Sequence, residues 1–318
     1  MHNISVILPV KNGEKYLNRA LEGITACCNK YDQILIIDNG SQDGSGKIIE
    51  NWAKQDSRIN VLACPNGGLV DALNLALDRA QNDWVARFDV DDTYSSDRIE
   101  YQKALISDKT VAIFSDYQVI GERSENLGII ASPVFPAATS ISLIASQRTA
   151  HPSVLYNRNA VIAVGGYRDT DFPAEDLALW LRLSRVGDLV SVPRILLKYQ
   201  LSTSSVSSQK RNEMINKRKE LISNIGICKD DFLRAKDSFD EILNGYSDLE
   251  FFMQRKIMFL IDYLHTLKNV SHLYSLGPCF PRALSKIVIK KDFYSELILL
   301  KSQSIERRKY RIAQLQTH

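Results

Sequence analysis

Apolar runs alternate with segments of helical periodicity between residues 4 and 88. The apolar runs are short and almost unbroken, as expected of strands buried on both faces of a sheet: Ile4–Val10, Gln33–Asp38, Ile59–Cys64 and Trp84–Phe88. The segments between them repeat apolar residues at helical spacing: Glu14–Ala26, Lys47–Ala53 and Leu69–Ala80. This βαβαβαβ order predicts an α/β fold with a Rossmann-like, mostly parallel sheet flanked by helices.

The pattern of the remaining chain divides it into two regions. Further strands are predicted at Val111–Ile120, Pro152–Tyr156 and Ile195–Tyr199, and helices at Arg98–Ser107, Arg158–Val164 and Leu177–Val186. The stretch 122–148 has no regular pattern. Residues 202–208 are rich in Ser and Thr, which is typical of a loop or hinge, and helical periodicity follows almost throughout. We therefore predict a catalytic domain at 1–208 and a mainly helical region at 209–318.

Four polar loops follow the first four predicted strands. They are Val10–Asn12, Asp38–Ser41, Asn66–Gly68 and Asp89–Asp92. Right-handed crossovers between parallel strands place such loops at one edge of the sheet. Ligands of open parallel sheets bind outside the carboxyl ends of the strands. The convergence of these loops therefore predicts a binding site.

Three carboxylates stand within four positions at the end of the fourth strand. Asp89, Asp91 and Asp92 would repel one another unless a cation lies among them. Mg²⁺ and Mn²⁺ prefer oxygen ligands of this kind and also bind phosphate oxygens. We interpret the cluster as a metal–diphosphate site. The alternative is an acidic turn that caps the helix predicted near Asp97.

The charge of the chain is unevenly distributed. A net charge of +3 over 318 residues gives no general case for nucleic-acid binding. Residues 282–318, however, carry nine Lys or Arg against three Asp or Glu. Such a basic tail fits an anionic membrane surface, and a solvated helical face is the alternative. The amphipathic pattern at 263–273 fits lipid contact, packing on the first domain, or a homodimer.

Cysteine usage and hydropathy indicate a reducing compartment. The five cysteines are odd in number and form no Cys-x-x-Cys pair, which argues against a disulfide framework or a zinc site. A strand predicted from Ile4 leaves no room for a signal peptide, and no apolar run approaches the ~20 residues that span a bilayer. We expect a cytoplasmic protein, either free or peripheral on the inner face of the cytoplasmic membrane.

Five ordered segments of the sequence match a known family. They are ILPVKNGEKYL, IIDNGSQDGS, PNGGLVDALNLAL, VARFDVDDTYSSDRI and HPSVLYNRNAVIAVGGYRDTDFPAEDLALWLRL. Over residues 3–206 the chain resembles the family 2 inverting glycosyltransferases, which have the A-type nucleotide-sugar-binding fold. The third and fourth segments look similar to those of enzymes that extend bacterial surface glycans, including lipooligosaccharide and O-antigen chains.

The resemblance implies a nucleotide-sugar site in the strand-end loops. Asp38 would accept hydrogen bonds from the base, usually uracil, unless it simply caps a turn. Asp89 would lie against the ribose or the metal. Arg87 would contact phosphate, unless it is an internal ion-pair partner. The other candidate contacts lie in the same loops: Pro9, Val10, Asn12, Glu14, Asn39, Gly67, Gly68 and Val90.

The same resemblance assigns the chemistry to carboxylates. Asp91, with Asp89, would bind Mn²⁺ or Mg²⁺. Asp92 would be a cap, or would support the ligands without contacting the metal. Asp176 of the Glu175–Asp176 pair would be the general base, and the alternative is a pair of helix N-terminal charges favoured by the dipole. A helix N-terminus would lower the pKa of Asp176 and burial would raise it. The sequence leaves that balance open.

Donor-sugar and acceptor contacts are implied near residues 151–180. The candidates are His151, Trp180 and the turn that contains Gly166 and Tyr167, which we expect to be flexible. A structural role for His151 and a core position for Trp180 are the alternatives.

The chain departs from the family after the last predicted strand. Family members commonly have Tyr-Arg-x-His there, whereas this chain has YQLS at 199–202. Both the arginine and the histidine are replaced. Phosphate binding would then use Lys198, Lys210 or Arg211, or depend more on the metal.

These inferences predict a metal-dependent inverting glycosyltransferase that moves a sugar from a UDP-sugar to a hydroxyl of a growing bacterial surface glycan or lipid-linked glycan. One carboxylate suffices to take the acceptor proton. A catalytically silent nucleotide-sugar-binding or scaffold subunit is the first alternative. A sugar nucleotidyltransferase is the second, but it would need an early Gly-rich loop to hold a triphosphate, and the loop at 10–14 is poor for that.

Overall fold

A computed structural model of the chain describes residues 2–134, 136–202 and 205–225. Nine strands of the described residues form one sheet in the order β3-β2-β1-β4-β8-β6-β9-β5, and β7 pairs with β6. The strands are β1 (Ile4–Val10), β2 (Gln33–Asp38), β3 (Ile59–Ala63), β4 (Trp84–Arg87), β5 (Thr93–Tyr94), β6 (Thr110–Ile120), β7 (Asn126–Ile130), β8 (Leu155–Asn157) and β9 (Asp188–Gln200).

Helices cover both faces of this sheet. They are α1 (Glu14–Cys27), α2 (Ser45–Gln55), α3 (Leu69–Arg79), α4 (Arg98–Lys103), α5 (Pro136–Ala145), α6 (Arg158–Ala163), α7 (Glu175–Leu183), α8 (Val206–Gln209) and α9 (Arg211–Ile225). Short 3-10 turns lie at His151–Ser153 and Asp169–Asp171. The predicted α/β architecture is confirmed.

Strand β1 shows why its sequence is almost continuously apolar. Ile7 belongs to a core cluster with residues of α3 and α7, while Val6 and Leu8 belong to a second cluster with residues of α1 and α2. Both faces of β1 are therefore buried, as a parallel strand between two helical layers requires. Helix α1 places Leu17 and Leu21 in the second cluster, on the apolar face that its periodicity predicts.

The sheet is parallel on one side and mixed on the other. Strands β1 to β4 pair in parallel, as predicted. Strand β8 then runs antiparallel to both β4 and β6, while β6 and β9 are parallel to each other. The edge at which β1, β2, β3 and β4 end is thus preserved, and it is the edge that carries the four polar loops.

Several predicted boundaries after residue 97 are wrong. The stretch 122–148 is not irregular, since it contains β7 and α5. Strand β9 begins at Asp188 rather than at Ile195, and its register with β6 shifts near Asp116, so no single alternating pattern runs through it. Helix α4 ends at Lys103 rather than at Ser107.

Helix α9 packs against the first region. Leu221 packs on the core cluster that includes α3 and α7, and Arg218 donates its Nη2–H to the Leu143 carbonyl oxygen at 3.0 Å. The predicted division at residue 208 stays a prediction. The basic tail at 282–318, the pattern at 263–273, Cys228 and Cys279 all lie outside the described residues.

The described part of the chain contains no helix with both the length and the apolar character to cross a bilayer. Cys27, Cys28 and Cys64 are free thiols.

Candidate active site

The first two strand-end loops are joined by hydrogen bonds. The Asn39 backbone N–H donates to the Val10 carbonyl oxygen at 2.8 Å. Asn12 donates its backbone N–H to Ser41 Oγ at 3.1 Å, and its Oδ1 accepts the Gln42 backbone N–H at 2.8 Å. Asn12 has φ of 53°, a left-handed conformation that asparagine tolerates better than most residues. Its side chain therefore shapes the loop.

The third and fourth loops close on the first two. A Cβ on Gly40, which has φ of +74°, would lie 2.8 Å from the Pro65 carbonyl oxygen. A Cβ on Gly13 would lie 2.9 Å from Val90 Cγ2. In the amide orientation that satisfies both partners, Asn39 donates to the carbonyl oxygens of Cys64 and Gly67 at 2.7 and 2.8 Å. The predicted convergence of the four loops is confirmed.

Other predicted nucleotide contacts also hold these loops together. The Glu14 carboxylate accepts the Gly44 N–H at 2.9 Å, at the start of α2. Gly68 precedes α3, and its N–H donates to Asp71 Oδ2 at 2.7 Å. Pro9 lies in the β1–β2 ladder, and Val10 is fully buried. These residues therefore hold the loops at the edge of the sheet in place. Their contact with a nucleotide stays a prediction.

Asp38 ends β2 at the centre of this edge. Its Oδ1 accepts the Ser41 backbone N–H at 2.9 Å. Within the described residues its Oδ2 has no hydrogen bond, so this oxygen is available to a ligand. The structure thus contains the turn cap that the sequence offered as the alternative, and contact of Oδ2 with a nucleotide base stays a prediction.

The carboxylates of Asp89, Asp91 and Asp92, here called the acid trio, lie close together. Each offers an oxygen, and these atoms all lie within 4.8 Å of one another. Asp92 is only 1% exposed; its Oδ1 accepts the Gln200 N–H at 2.8 Å, whereas its Oδ2 is buried with no hydrogen-bond partner. A buried oxygen without a donor, beside two further carboxylates, fits a hard divalent cation. Asp92 therefore joins the candidate ligands, beyond its predicted role as a cap.

Like charges and burial perturb the acid trio. Burial, followed by the Asp89 charge, raises the pKa of Asp91 to about 6. Burial, followed by the Asp91 and Asp89 charges, raises the pKa of Asp92 well above its usual range. A cation among these oxygens would reverse both effects, because it favours the charged form. The protein alone thus neutralises the negative charge of the trio poorly.

Arg87 is a buried cation beside the trio. It is 4% exposed, and its guanidinium forms an ion pair with Asp89. Burial opposes the charge, but the Asp89 carboxylate outweighs it and raises the pKa of Arg87. The structure thus contains the internal ion pair that the sequence left as one of two alternatives, and a phosphate contact stays a prediction. Arg19 of α1 donates its Nη2–H to the Asp91 carbonyl oxygen at 2.8 Å.

Asp176 lies at the start of α7, where two donors hold its carboxylate. Gln147 Nε2 donates to Oδ2 at 2.7 Å, and the Leu177 N–H donates to Oδ1 at 2.6 Å. Burial nevertheless raises the pKa of Asp176, so it outweighs the donors at the helix N-terminus and the nearby Arg87 and Arg218 charges. Burial, followed by the Asp176 charge, raises the pKa of the neighbouring Glu175 to about 7. The balance that the sequence left open is decided by burial.

Arg87 connects the acid trio with the start of α7 electrostatically. The Arg87 charge opposes the burial that raises the pKa of Asp91 and of Asp176. The Asp89 charge adds to the rise in the pKa of Glu175. The structure therefore brings the candidate metal ligands and the candidate base into one region. Neither Gln147 nor Arg218 was predicted, because neither lies in a motif. Gln147 contacts Asp176 from 29 positions away, and Arg218 contacts Gln147 from 71 positions away.

Three of the four predicted sugar and acceptor contacts, His151, Tyr167 and Trp180, lie inside the protein. Trp180 is 0% exposed and packs edge-on against Phe114 and His151, with ring centroids 5.1 and 5.7 Å away. Its predicted role as a sugar platform is wrong, because all of its surface is used in the core. His151 Nε2 lies 2.8 Å from Tyr167 Oη, and burial, followed by the Arg87 charge, holds the pKa of His151 well below its usual value. The structural alternative for His151 is the one observed.

The turn with Gly166 and Tyr167 is firmly held. Gly166 has φ of 59°, and its carbonyl oxygen accepts from Arg182 Nη2 at 2.6 Å. Asn74 of α3 binds both backbone groups of Tyr167, at 3.1 Å to the N–H and 2.9 Å to the carbonyl oxygen. The expectation of a flexible turn is therefore wrong. Acceptor contact at this turn stays a prediction.

The departure after β9 has a structural counterpart. Gln200, where the family commonly has arginine, uses its backbone N–H to hold Asp92. Lys210, one of the proposed substitutes, pairs with Glu213 at 3.0 Å and lies 5.3 Å from the centre of the Phe172 ring. Lys198 lies in β9 opposite Thr93 of β5. Phosphate contacts by these lysines stay predictions.

The mixed sheet flanked by helices, with clustered carboxylates after β4, has the architecture of the A-type glycosyltransferase fold. Residues 5–151 match the model of glycosyl transferase family 2. The match includes the acid trio, and it confirms the resemblance to this family that was inferred from the sequence.

Known proteins resemble the chain in sequence and in fold. The putative teichuronic acid biosynthesis glycosyltransferase TuaG of Bacillus subtilis is 28% identical over 213 residues, which cover 65% of this chain and 82% of that protein. The fold is shared with residues 1–349 of S. aureus TarS in complex with UDP-GlcNAc, at a TM-score of 0.54 and 16% identity, covering 87% of this chain and 76% of that one.

A second solved structure is the mannosyltransferase PcManGT from Pyrobaculum calidifontis in complex with GDP-Man and Mn²⁺. Its TM-score is 0.57 at 15% identity, covering 98% of this chain and 85% of that one. At such identities the structural likeness shows the fold alone. Together the comparisons agree with the fold class and with glycosyl transfer.

Proposed function

We propose that the protein is a metal-dependent inverting glycosyltransferase that moves a sugar from a UDP-sugar to a hydroxyl of a growing surface glycan. The observation that supports it most is the acid trio, whose buried Asp92 Oδ2 lacks a donor, at the edge where the four loops meet. A diphosphate brings its own negative charge to that edge. Carboxylates there are useful only with a cation between them and the phosphates.

The residues of the chain divide the work of transfer. Asp89, Asp91 and Asp92 hold the divalent ion, which supplies a Lewis acid that offsets the charge of the departing diphosphate. Asp38 Oδ2 accepts a hydrogen bond from the base. Asp176 takes the proton of the acceptor hydroxyl as that oxygen attacks the anomeric carbon. Attack from the side opposite the diphosphate inverts the configuration of that carbon.

The relatives support the donor and acceptor classes. TarS binds UDP-GlcNAc and PcManGT binds GDP-Man with Mn²⁺, according to their structures. TuaG is named for teichuronic acid biosynthesis, a surface polysaccharide pathway. We place UDP-linked hexose or N-acetylhexosamine first and GDP-mannose second, and Mn²⁺ or Mg²⁺ as the cofactor. The acceptor is a glycan or lipid-linked glycan at the cytoplasmic face of the membrane.

The test compares three carboxylate variants of the full-length chain. Nucleoside diphosphate release from a panel of UDP- and GDP-sugars is measured with Mn²⁺ present. Asp91→Ala should lose release and the Mn²⁺-dependent affinity for UDP, while Asp176→Asn should lose release and keep that affinity. Asp78→Asn is the control, because this side chain on α3 is 74% exposed, and it should change neither. Full release by Asp91→Ala would contradict the metal assignment.

A catalytically silent subunit remains the second candidate, because the Arg and His expected after Tyr199 are absent. It predicts nucleotide-sugar binding without release for every donor of the panel. Peripheral membrane attachment is a separate proposal about residues outside the described part. Equal sedimentation with anionic liposomes of the full chain and of a chain ending at Ser208 would exclude it.

A further inference from the structure

A glutamine from outside the predicted motifs bridges the candidate base and helix α9. Gln147 Nε2 donates to Asp176 Oδ2 at 2.7 Å, and Gln147 Oε1 accepts from Arg218 Nη1 at 2.8 Å. Asp176 lies on α7, Gln147 follows α5, and Arg218 lies on α9. One amide therefore joins a carboxylate to a guanidinium across three elements.

The chemistry of the two ends fixes the direction of this amide. A guanidinium only donates hydrogen bonds, and an ionised carboxylate only accepts them. Gln147 must turn its oxygen to Arg218 and its nitrogen to Asp176. This arrangement matches the ionised carboxylate, which is the form that a general base needs before it takes a proton. It also works against the burial that raises the pKa of Asp176.

The backbone of Gln147 is a second observation. Its φ is 46°, in the left-handed region that glycine favours. Its N–H donates to the Ser142 carbonyl oxygen at 2.6 Å, which closes the end of α5. Left-handed residues at such helix ends are usually glycine. A glycine would satisfy the helix end here, so the glutamine is explained by the contact of its side chain with Asp176.

We propose that Gln147, oriented by Arg218, is a positioning residue for the general base Asp176. The inference rests on the proposed function, in which Asp176 is that base. Gln147 holds Oδ2, and the Leu177 N–H holds Oδ1 at 2.6 Å. With both oxygens held, the carboxylate keeps one orientation toward the acceptor hydroxyl. Helix α9, which follows β9, thereby contributes to the catalytic centre.

Other charged groups near Asp176 limit how the effect can be measured. Burial and the Asp176 charge raise the pKa of Glu175 on the same helix, whereas the Arg87 and Arg218 charges oppose the burial that raises the pKa of Asp176. Arg218 also binds the Leu143 carbonyl oxygen, so it fastens α9 to α5. A purely structural role for the bridge would therefore lower stability without a specific effect on Asp176.

The first experiment needs no substrate. The full-length chain is labelled with ¹³C-aspartate, the Asp176 signal is assigned with Asp176→Asn, and its titration is followed by NMR. In Gln147→Gly we expect an upward shift of the Asp176 pKa, because the donor to the charged form is lost. The melting temperature should stay within about 2 °C of the native value or rise, since glycine suits the left-handed position.

Two variants on α9 complete this experiment. Arg218→Met should shift the Asp176 pKa upward by less than Gln147→Gly does. Lys217→Met is the matched control: it removes the neighbouring cation, which pairs with Glu220 on the same helix at 2.8 Å, and should leave the titration unchanged. An Asp176 pKa that is the same in native protein and in Gln147→Gly would overturn the proposal.

The second experiment measures turnover as UDP release from UDP-GlcNAc with Mn²⁺. Gln147→Gly should lower kcat about 10- to 100-fold, part of what a general base contributes, with KM changed less than about twofold. If Asp176→Asn keeps turnover, the proposed function fails. If Asp176→Asn is inactive and Gln147→Gly has native kcat, only the positioning role fails.

Discussion

The acid trio and the start of α7 both hold carboxylates that are at least partly buried, but they balance the charge differently. The trio comes from four consecutive positions, and burial with mutual repulsion raises the pKa of Asp91 and of Asp92. Asp176 is surrounded by donors and cations from other elements, namely Gln147, Arg87 and Arg218. In the proposed function the trio therefore relies on a cation from solution, whereas Asp176 is supported by the protein itself.

This difference follows from the two tasks. A metal site has to release the product diphosphate after each turnover. The carboxylates of the free protein therefore lack positive charge until the ion and the next diphosphate bind. A general base has to be ionised and aligned before the acceptor binds. The contrast predicts that the two regions respond differently to substitution and to pH.

The largest effect is expected at the trio. Asp92→Asn removes the charge beside the other two ligands and keeps the size of the side chain. Transfer should fall at least about 100-fold, and the rise in melting temperature on addition of Mn²⁺ should disappear. Differential scanning fluorimetry with and without Mn²⁺ measures the second effect. A native Mn²⁺ response would return Asp92 to the role of a cap.

Arg87 is shared by both regions, and its removal should disturb both. Arg87→Met leaves Asp89 without its buried partner, so the free energy of unfolding should fall by about 2–4 kcal/mol. Urea denaturation in EDTA measures this loss, and Mn²⁺ should recover part of it. The exposed pair Arg79–Asp78 offers the control, because Arg79→Met should change stability by less than about 0.5 kcal/mol.

The pH dependence of stability should separate metal-free from metal-bound protein. Asp91 and Glu175 have folded-state pKa values raised to about 6 and about 7, above the ~4 of unfolded carboxyls. The folded state therefore binds more protons than the unfolded state between these limits, and stability falls as pH rises from about 4 to 7. The melting temperature in EDTA should drop by about 5 °C or more across this range. With saturating Mn²⁺ the drop should shrink.

The smallest effect is expected from Glu175→Gln. This change removes the negative neighbour of Asp176 and preserves the shape of the side chain at position 175. The pKa of Asp176 should fall, so the acid limb of the kcat–pH profile should move to lower pH. The Mn²⁺ affinity should change little, because Glu175 is outside the acid trio. Loss of transfer in Glu175→Gln would mean that Glu175, rather than Asp176, takes the proton.

Local pattern explains what the sequence could predict. The strands β1 to β4 are buried on both faces, so their apolar runs and the polar residues that follow them are legible without a structure. The position of the site at one edge follows from handedness alone. Helix α5 was not predicted, because small and hydroxyl-bearing residues give its sequence, PAATSISLIA, little amphipathic pattern.

Non-local contacts explain what the sequence could not predict. Gln147 is 29 positions from Asp176 and 71 from Arg218, and no periodicity links such distant residues. A tryptophan can pack in a core or stack against a sugar, so the residue type of Trp180 predicts neither role. Its burial in the structure decides between them. Strand β8 runs antiparallel because of the path of the preceding segment, which its three residues do not encode.

The position of Arg218 has a practical consequence for anyone shortening this chain. A protein ending in the serine-rich stretch would retain every strand of the sheet and every residue of the acid trio. It would nevertheless leave Gln147 without the partner that directs its amide. We expect such a shortened enzyme to bind nucleotide normally and turn over slowly, a defect easily mistaken for the wrong choice of donor sugar.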